Sequence, residues 1–385
     1  MREAGWFSLV VVSFTFPTPI RFGPGASGEV RAHLEQRGFT RPLIVTDAGL
    51  ARLPLFKAFA DSLASLDSST FCDFSGNPVE SHVTSGATAF RTHRADCIIG
   101  IGGGAALDVA KAIALMASHP GAILDYEDGK PGARPIDKDV PYWVAIPTTS
   151  GTGSEVGRST VISDEHHVKR IVFDPKLLAR CVFADPQLTL DLPPKITAAT
   201  GMDAITHCVE AYLAKDYHPI CDGIALEGLR MAARALPRCN AHPKDIEARS
   251  EIMMASMMGA IAFQKGLGVA HSCAHALGAV ADMHHGLACG IMIDHAVRMN
   301  SAARADRFTE MARIVGAKEN SPEGFLRFLA DLKAEIGIPA KLSHGGVTRE
   351  HLARCPAVAF ADSCHQNNPV PVTLADFERI FREAM

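Results

Sequence analysis

The sequence predicts a two-domain α/β protein: a parallel-sheet, Rossmann-like dinucleotide-binding domain over residues 1–190, then an all-α metal-binding domain over residues 191–385. Three observations carry this expectation. A chain of 385 residues has the length of two ordinary domains, each able to bury a core. Up to about residue 190, short β-rich runs alternate with helix-length stretches. Beyond that point the texture turns to long Ala-, Met- and Leu-rich stretches with the length of helices.

Taken in order, the elements begin at Trp6–Phe16, an apolar run too short to span a bilayer. No small-residue cleavage site follows it, so a signal segment is disfavoured. Its Val-Val-Val and Phe-Thr-Phe content suits a strand. Further strands are expected at Leu43–Thr46, Cys97–Ile101, Tyr142–Ile146 and Arg180–Ala184, each followed by Gly, Pro or Asp. Helix-length spacers between them imply parallel β-α-β units. The near-continuous apolar run Cys97-Ile98-Ile99-Gly100-Ile101 belongs in a sheet covered on both faces. Pro193-Pro194 then punctuates the chain, and helices are expected over 197–214, 219–236, 245–263 and 268–281. No internal repeat interrupts this order.

Composition narrows the function class. The chain is 47% hydrophobic and 21% charged, with a net charge of −4, which fits a soluble globular protein. Slight acidity and the lack of a basic stripe argue against a nucleic-acid partner, and no run is long enough for a membrane span. The ten cysteines are scattered without a CxxC pair, as expected for reduced thiols in the cytoplasm.

Two loops in the first half point to a nucleotide. Ile101-Gly102-Gly103-Gly104-Ala105-Ala106-Leu107-Asp108 runs from a strand straight into a helix. Glycines let a backbone approach a phosphate closely, and a helix N-terminus offers unpaired N–H donors. The same segment also suits a tight turn that binds nothing, and its spacing is not GxGxxG. Pro147-Thr148-Thr149-Ser150-Gly151-Thr152-Gly153-Ser154-Glu155 is rich in hydroxyls, suited to ribose and phosphate or to capping a helix. Two such loops at strand C-termini favour a dinucleotide cleft. Asp47, at the end of a strand, can accept both ribose hydroxyls and would repel a 2′-phosphate, which favours NAD over NADP. It could also simply cap the next helix.

The second half carries a metal-ligand pattern. Asp203 and His207 are four apart, as are His271 and His275, and His284-His285 follows. Residues four apart on a helix share one face. With 17 histidines, either pair alone also arises as two surface residues. Here several sit in apolar, Ala- and Gly-rich segments. A carboxylate with imidazoles suits Fe(II) or Zn(II), not Mg or Ca, and the absence of thiolate leans away from structural zinc. HExxH is absent, so a zincin protease is disfavoured.

On these motifs the chain resembles the group III, iron-containing alcohol dehydrogenases from Phe16 to Phe377. The carriers are Phe16-Pro17-Thr18, Phe22-Gly23-Pro24-Gly25, Gly102–Gly104 with Asp108, Pro147–Glu155, Ala199–Ala204 with His207, Gly268–Gly278 and His285-Gly286. The resemblance implies metal ligands at Asp203, His207, His271 and His285, and places His275 near the nicotinamide without making it a ligand. It implies cofactor contacts at Asp47, Asn77, Gly103, Gly104, Ala105, Asp108, Thr148, Thr149, Thr152 and Lys169. Two positions depart from the family pattern: Ala105 stands where a serine is common, and Gly157 where a hydroxyl residue is common. Phe263–Gly266 and Cys364–Pro369 look most like members acting on 4-hydroxybutyrate and related short hydroxy acids.

The implied reaction moves a hydride between NAD(H) and a short primary alcohol or aldehyde, with the metal as Lewis acid and His275 as proton relay. The resemblance also implies a homodimer or larger assembly. A rival is a dehydroquinate synthase-like lyase or cyclase using NAD transiently. It needs basic residues around the metal, where this chain has Val269, Ala270, Ala274, Ala276 and Leu277. A protein with a merely structural metal is a third reading. Lys265, six residues before His271, is expected either to meet a substrate carboxylate in the cleft or to be a solvated surface lysine.

Overall fold

The computed structural model describes Phe16, residues 18–166 and residues 168–385. The strand expected at Trp6–Phe16 therefore lies outside the described residues but for Phe16, which is in no strand. Among the described residues there are eight strands: β1 (Ile20–Phe22), β2 (Pro42–Val45), β3 (Ser69–Phe71), β4 (Cys97–Gly102), β5 (Trp143–Pro147), β6 (Ser159–Ser163), β7 (Lys169–Phe173) and β8 (Cys181–Ala184). Six form one sheet in the order β1-β8-β5-β4-β2-β3, parallel throughout. β6 and β7 form a separate antiparallel hairpin.

Alternation along the strands supplies two apolar faces. Leu43, Val45, Ile98, Trp143, Ala145 and Val182 pack with helices α3 (Glu80–His93) and α4 (Gly104–Ser118). Ile44, Cys97, Ile99, Ile101, Val144 and Phe183 pack on the other side with α1 (Val30–Glu35) and α2 (Pro54–Ser62). Every residue of β2, β4, β5 and β8 is buried, the pattern of a parallel sheet covered on both faces. Strand order reverses between β2 and β4, and the crevice at such a switch point is where ligands bind open α/β sheets.

After β8 the described chain contains no strand. The helices are α5 (Pro194–Leu213), α6 (Pro219–Ala241), α7 (Ile246–Ala262), α8 (Val269–Ala281), α9 (His285–Arg298), α10 (Ala305–Ile314), α11 (Pro322–Glu335), α12 (Arg349–Ala361) and α13 (Leu374–Glu383). α6 runs on through Pro237, past the expected end at 236. The proline removes one N–H, but Leu236 and Cys239 keep the helix face buried in the core. α7 is shared between cores: Met253, Met257 and Ala260 face the sheet domain, whereas Ile252, Ala255 and Ala262 face the helical one. Among the described residues no single helix is long and apolar enough to cross a membrane; the one pair that passes together is bent by 106°.

Candidate active site

Three strand ends build the nucleotide cleft. At the end of β4, Gly102 has φ +149, and a Cβ there would stand 2.6 Å from the Ala106 methyl, so only glycine fits. Gly103 then caps α4 without any side-chain hydrogen bond, which leaves first-turn N–H groups for a ligand. The loop after β5 lies against this turn. Thr148 N donates to Gly102 O at 3.0 Å, and side chains at Gly103 and Gly104 would meet Thr149 at 3.4 Å and Thr152 at 2.7 Å. Asp47 follows β2, and its side chain holds the turn into the next short helix. Its Oδ1 accepts from Gly49 N (2.9 Å) and Leu50 N (3.0 Å), while Oδ2 lies 3.7 Å from the Gly102 Cβ position.

Asp108 turns its carboxylate into the protein. It accepts from Ser154 Oγ (2.7 Å) and Val161 N (3.3 Å) and stands 3.7 Å from Lys111 Nζ. Lys111, fully buried, donates to Ser154 Oγ and to Ser159 O at 2.8 and 2.7 Å. Glu155 is buried beside this group. Burial raises Glu155 to about 7 against the pull of Lys111, and it also pushes Asp108 up and Lys111 down. Gly153 joins this loop to α7, since a Cβ there would come within 2.2 Å of Ala260 Cβ.

Across the cleft, α5 presents Asp203 and His207, α8 presents His271 and His275, and His285 opens α9. The Nε2 atoms of His207, His271 and His285 stand 3.8, 3.7 and 3.5 Å from Asp203 Oδ1. Those separations are long for hydrogen bonds. They resemble the roughly 3.4 Å between ligand atoms of a tetrahedral ion with bonds of about 2.0–2.1 Å. Asp203 Oδ1 and His271 Nε2 are buried without a hydrogen-bond partner, a need that a bound cation would satisfy. The donor set therefore fits Fe(II) or Zn(II).

Burial lowers His207 to about 4 despite Asp203, and burial followed by Lys169 lowers His285. Burial works against the Asp203 carboxylate, but the facing imidazoles hold its pKa down. Burial also works against a charged His271, but Asp203 and the bond to Glu210 raise it to about 9, so a metal bound there would displace a proton. Cys289 Sγ lies 3.7 Å from His285 Nε2, and burial keeps it a thiol.

Two carboxylates that the sequence reading did not single out hold this centre in place. Glu210 accepts from His271 Nδ1 (2.6 Å) and from the backbone N–H of Gly268 (2.9 Å) and Ala270 (2.6 Å), so it caps α8 and aims the imidazole. It extends the 203, 207, 210 stripe at helical spacing, a signal that was available. Asp362 pairs with His275 Nδ1 (2.7 Å) and accepts from Ser272 Oγ (2.7 Å) and Cys364 N (2.8 Å). It lies 87 residues from His275, and no local pattern marks it. The His275 ring stacks on His285 with centroids 5.3 Å apart.

Asn77 and Lys169 reach the same region from the sheet domain. Asn77 Nδ2 approaches Asp282 Oδ1 at 3.5 Å, and Lys169 Nζ lies 3.9 Å from the Gly278 Cβ position. Ala105 and Gly157, the two departures from the family pattern, leave α4 and the β5 loop without those hydroxyls.

A cavity of about 440 Å³ adjoins the centre, with Arg158, Phe173, Phe263 and Cys364 among its walls. The Phe263 ring packs on His207 with centroids 5.0 Å apart, and Cys364 clusters with His275 and Asp362. Lys265 also borders it, but both expectations for this residue are overturned. Its ammonium is fully buried, 2.5 Å from Asp222 Oδ1 and 3.1 Å from Tyr212 O. Asp222 provides a closer anion than any ligand, and burial rewards that pairing.

Family models describing iron-containing alcohol dehydrogenases match residues 17–186, and their C-terminal counterpart matches residues 197–385. The chain is 36% identical to a 4-hydroxybutyrate dehydrogenase of Cupriavidus necator, covering 96% of this chain and 98% of that one. It is 34% identical to an NAD-dependent methanol dehydrogenase of Bacillus methanolicus, covering 97% and 100%. The crystal structure of a 1,3-propanediol oxidoreductase superposes with a TM-score of 0.93 at 31% identity, covering 98% and 100%. A sulfoacetaldehyde reductase from Bifidobacterium kashiwanohense, solved with NAD+, gives a TM-score of 0.87 at 29% identity, covering 97% and 99%.

Proposed function

The chain belongs to the iron-containing alcohol dehydrogenase family, and from that premise we propose an NAD-dependent dehydrogenase that interconverts short primary alcohols and aldehydes. Short hydroxy acids such as 4-hydroxybutyrate fall within this substrate range. The observation that carries the reading is the convergence of three imidazole nitrogens on the unpartnered Asp203 Oδ1. Asp203, His207, His271 and His285 hold the metal, Fe(II), with Zn(II) the alternative that this donor set also suits. Gly103, Gly104, Ala105, Thr148, Thr149 and Thr152 hold the NAD phosphates and ribose, and Asp47 selects against a 2′-phosphate. Asn77 and Lys169 close the cleft from the sheet side, with Asp108 bracing α4 behind it.

When bound, the metal supplies Lewis-acid polarisation of the substrate oxygen and NAD(H) supplies or takes up the hydride. His275 moves the proton. Asp362 takes its Nδ1–H, so the Nε2 lone pair is left for the reacting hydroxyl or an intervening water. Phe263 and the Ala-rich faces of α8 exclude bulk water around the centre.

The decisive experiment supplies metal-filled protein with NADH and butanal, and follows absorbance at the nicotinamide band. Net steady-state consumption is expected. Its absence would overturn the proposal and favour the lyase, which returns its NAD unchanged; the matched families lend that rival no support.

The protein is also proposed to be cytoplasmic, consistent with ten free cysteines, and to form a homodimer or larger assembly. Among the described residues β1 is a sheet edge with Phe22 exposed, and such edges pair with other chains. Light scattering that returns a 41.1 kDa monomer contradicts the assembly.

A further inference from the structure

The metal centre has a further donor atom within reach of the four residues assigned to it. Asp203, His271, His285 and Cys289 each place a ligand-type atom within 4.8 Å of the other three. Cys289 lies four residues after His285 on α9, so the two side chains share a helix face. Its Sγ stands 3.7 Å from His285 Nε2, the same nitrogen that lies 3.5 Å from Asp203 Oδ1. A sulfur and a nitrogen held by one ion, with bonds of about 2.3 and 2.0–2.1 Å, come to roughly 3.6 Å apart at the tetrahedral angle.

A buried cysteine usually behaves as a small hydrophobe, and two observations separate Cys289 from that part. Its neighbours Asp203 Oδ1 and His271 Nε2 are buried without a hydrogen-bond partner, so the space between these atoms suits a cation and not an apolar filler. Cys289 is fully buried, whereas the His285 side chain is 22% exposed. The sulfur therefore meets the group from the helical core, and the side open to the cleft stays available to substrate. We infer that Cys289 is a fifth donor of this centre, and that its sulfur strengthens the hold of the site on thiophilic ions, Zn(II) and Co(II), relative to Fe(II). The inference rests on the metal-binding part of the dehydrogenase reading and adds a ligand to it. Ligation exchanges the Sγ–H bond for an Sγ–metal bond, and the displaced proton passes to the buffer. Soft thiolate donors select Zn(II) over harder ions, whereas carboxylate and imidazole discriminate less.

The test loads metal-stripped protein with Co(II), whose thiolate complexes absorb in the near ultraviolet through sulfur-to-metal charge transfer. The wild type is expected to show this band. Cys289→Ser, which keeps the size and offers a hard oxygen, should retain cobalt and lose the band. Cys364→Ala, which removes the thiol grouped with His275 and Asp362, should keep it. Offered equal Zn(II) and Fe(II) without oxygen, the wild type should take up Zn(II) over Fe(II) in a ratio roughly ten- to a hundredfold above that of the serine variant, the range by which groups around a ligand set change metal affinity. Cobalt retained by the wild type without the band overturns the inference and leaves the metal site intact. A band that survives in Cys289→Ser, or an unchanged ratio of zinc to iron, does the same. Should the serine variant not fold, Cys364→Ala decides, since loss of the band there assigns the sulfur to Cys364 and its retention upholds Cys289. A wild type that retains no cobalt overturns the metal site and this inference together.

Discussion

At the scale of single residues, the centre depends on side chains that touch neither metal nor substrate. Burial alone would raise the Asp362 carboxyl, yet the His275 bond, together with Ser272 Oγ and Cys364 N, holds it well below the usual range. An anionic Asp362 fixes one tautomer of His275. Asp362→Asn keeps the volume but offers an amide that can present N–H2 to the ring, so the wrong tautomer becomes accessible. The expected result is a fall in kcat of about 10–100-fold with KM changed little, the range typical of partners that orient a functional imidazole. Steady-state kinetics on metal-filled enzyme check this, and an unchanged kcat returns Asp362 to a purely structural part.

At the scale of elements, the β5 loop, α4 and the β6–β7 hairpin are joined by the buried group Asp108, Lys111, Ser154 and Glu155. The loop must come this close because Gly151 and Gly153 pack against Thr200 and Ala260 with no room for a Cβ. Glu155 adds a pH dependence. Its folded value of about 7 lies above the ordinary carboxylate range, so between the two values the folded state holds more protons than the unfolded one. Stability from this group is therefore present at acid pH and lost as pH rises towards 7. Glu155→Gln should have little effect near pH 4.5 and should stabilise the protein by on the order of 3 kcal/mol at pH 8. Urea midpoints across that range test it, and an equal effect at both ends refutes the buried-acid account.

At the scale of the whole molecule, the proposed cation site draws its residues from α5, α8 and α9 and faces a cleft whose other wall belongs to the sheet domain. A ligand bound only by the folded state stabilises it by about 2.7 kcal/mol at a hundredfold excess over Kd. Chelation should therefore lower the thermal midpoint, and added Fe(II) or Zn(II) should restore it. His207→Ala and His271→Ala should retain no metal and show no such shift, while far-ultraviolet circular dichroism stays close to wild type. A full metal complement in either variant removes it from the ligand set.

Short-range pattern was enough to read much of this protein from its residues. A strand entering three glycines and then a helix, as at Cys97–Asp108, is a local event governed by backbone sterics. Likewise Asp203 and His207, or His271 and His275, share a face because helical geometry acts over four residues. The same reasoning located β2, β4, β5 and β8 to within a residue and α5 to α8 to within a few. It did not reach β1 and β3, three residues each, or the β6–β7 hairpin, whose pairing depends on partners outside the local window. Nor did it reach the pairings that shape the chemistry: Lys265 with Asp222 across 43 residues, His271 with Glu210 across 61, His275 with Asp362 across 87. Each is decided by which groups are desolvated together, since a buried charge must find its partner wherever the fold brings one. The residue types and their local spacing determined the candidate chemistry; packing alone decided that the Lys265 ammonium is held inside the protein by Asp222 and that Glu210 and Asp362 orient the imidazoles.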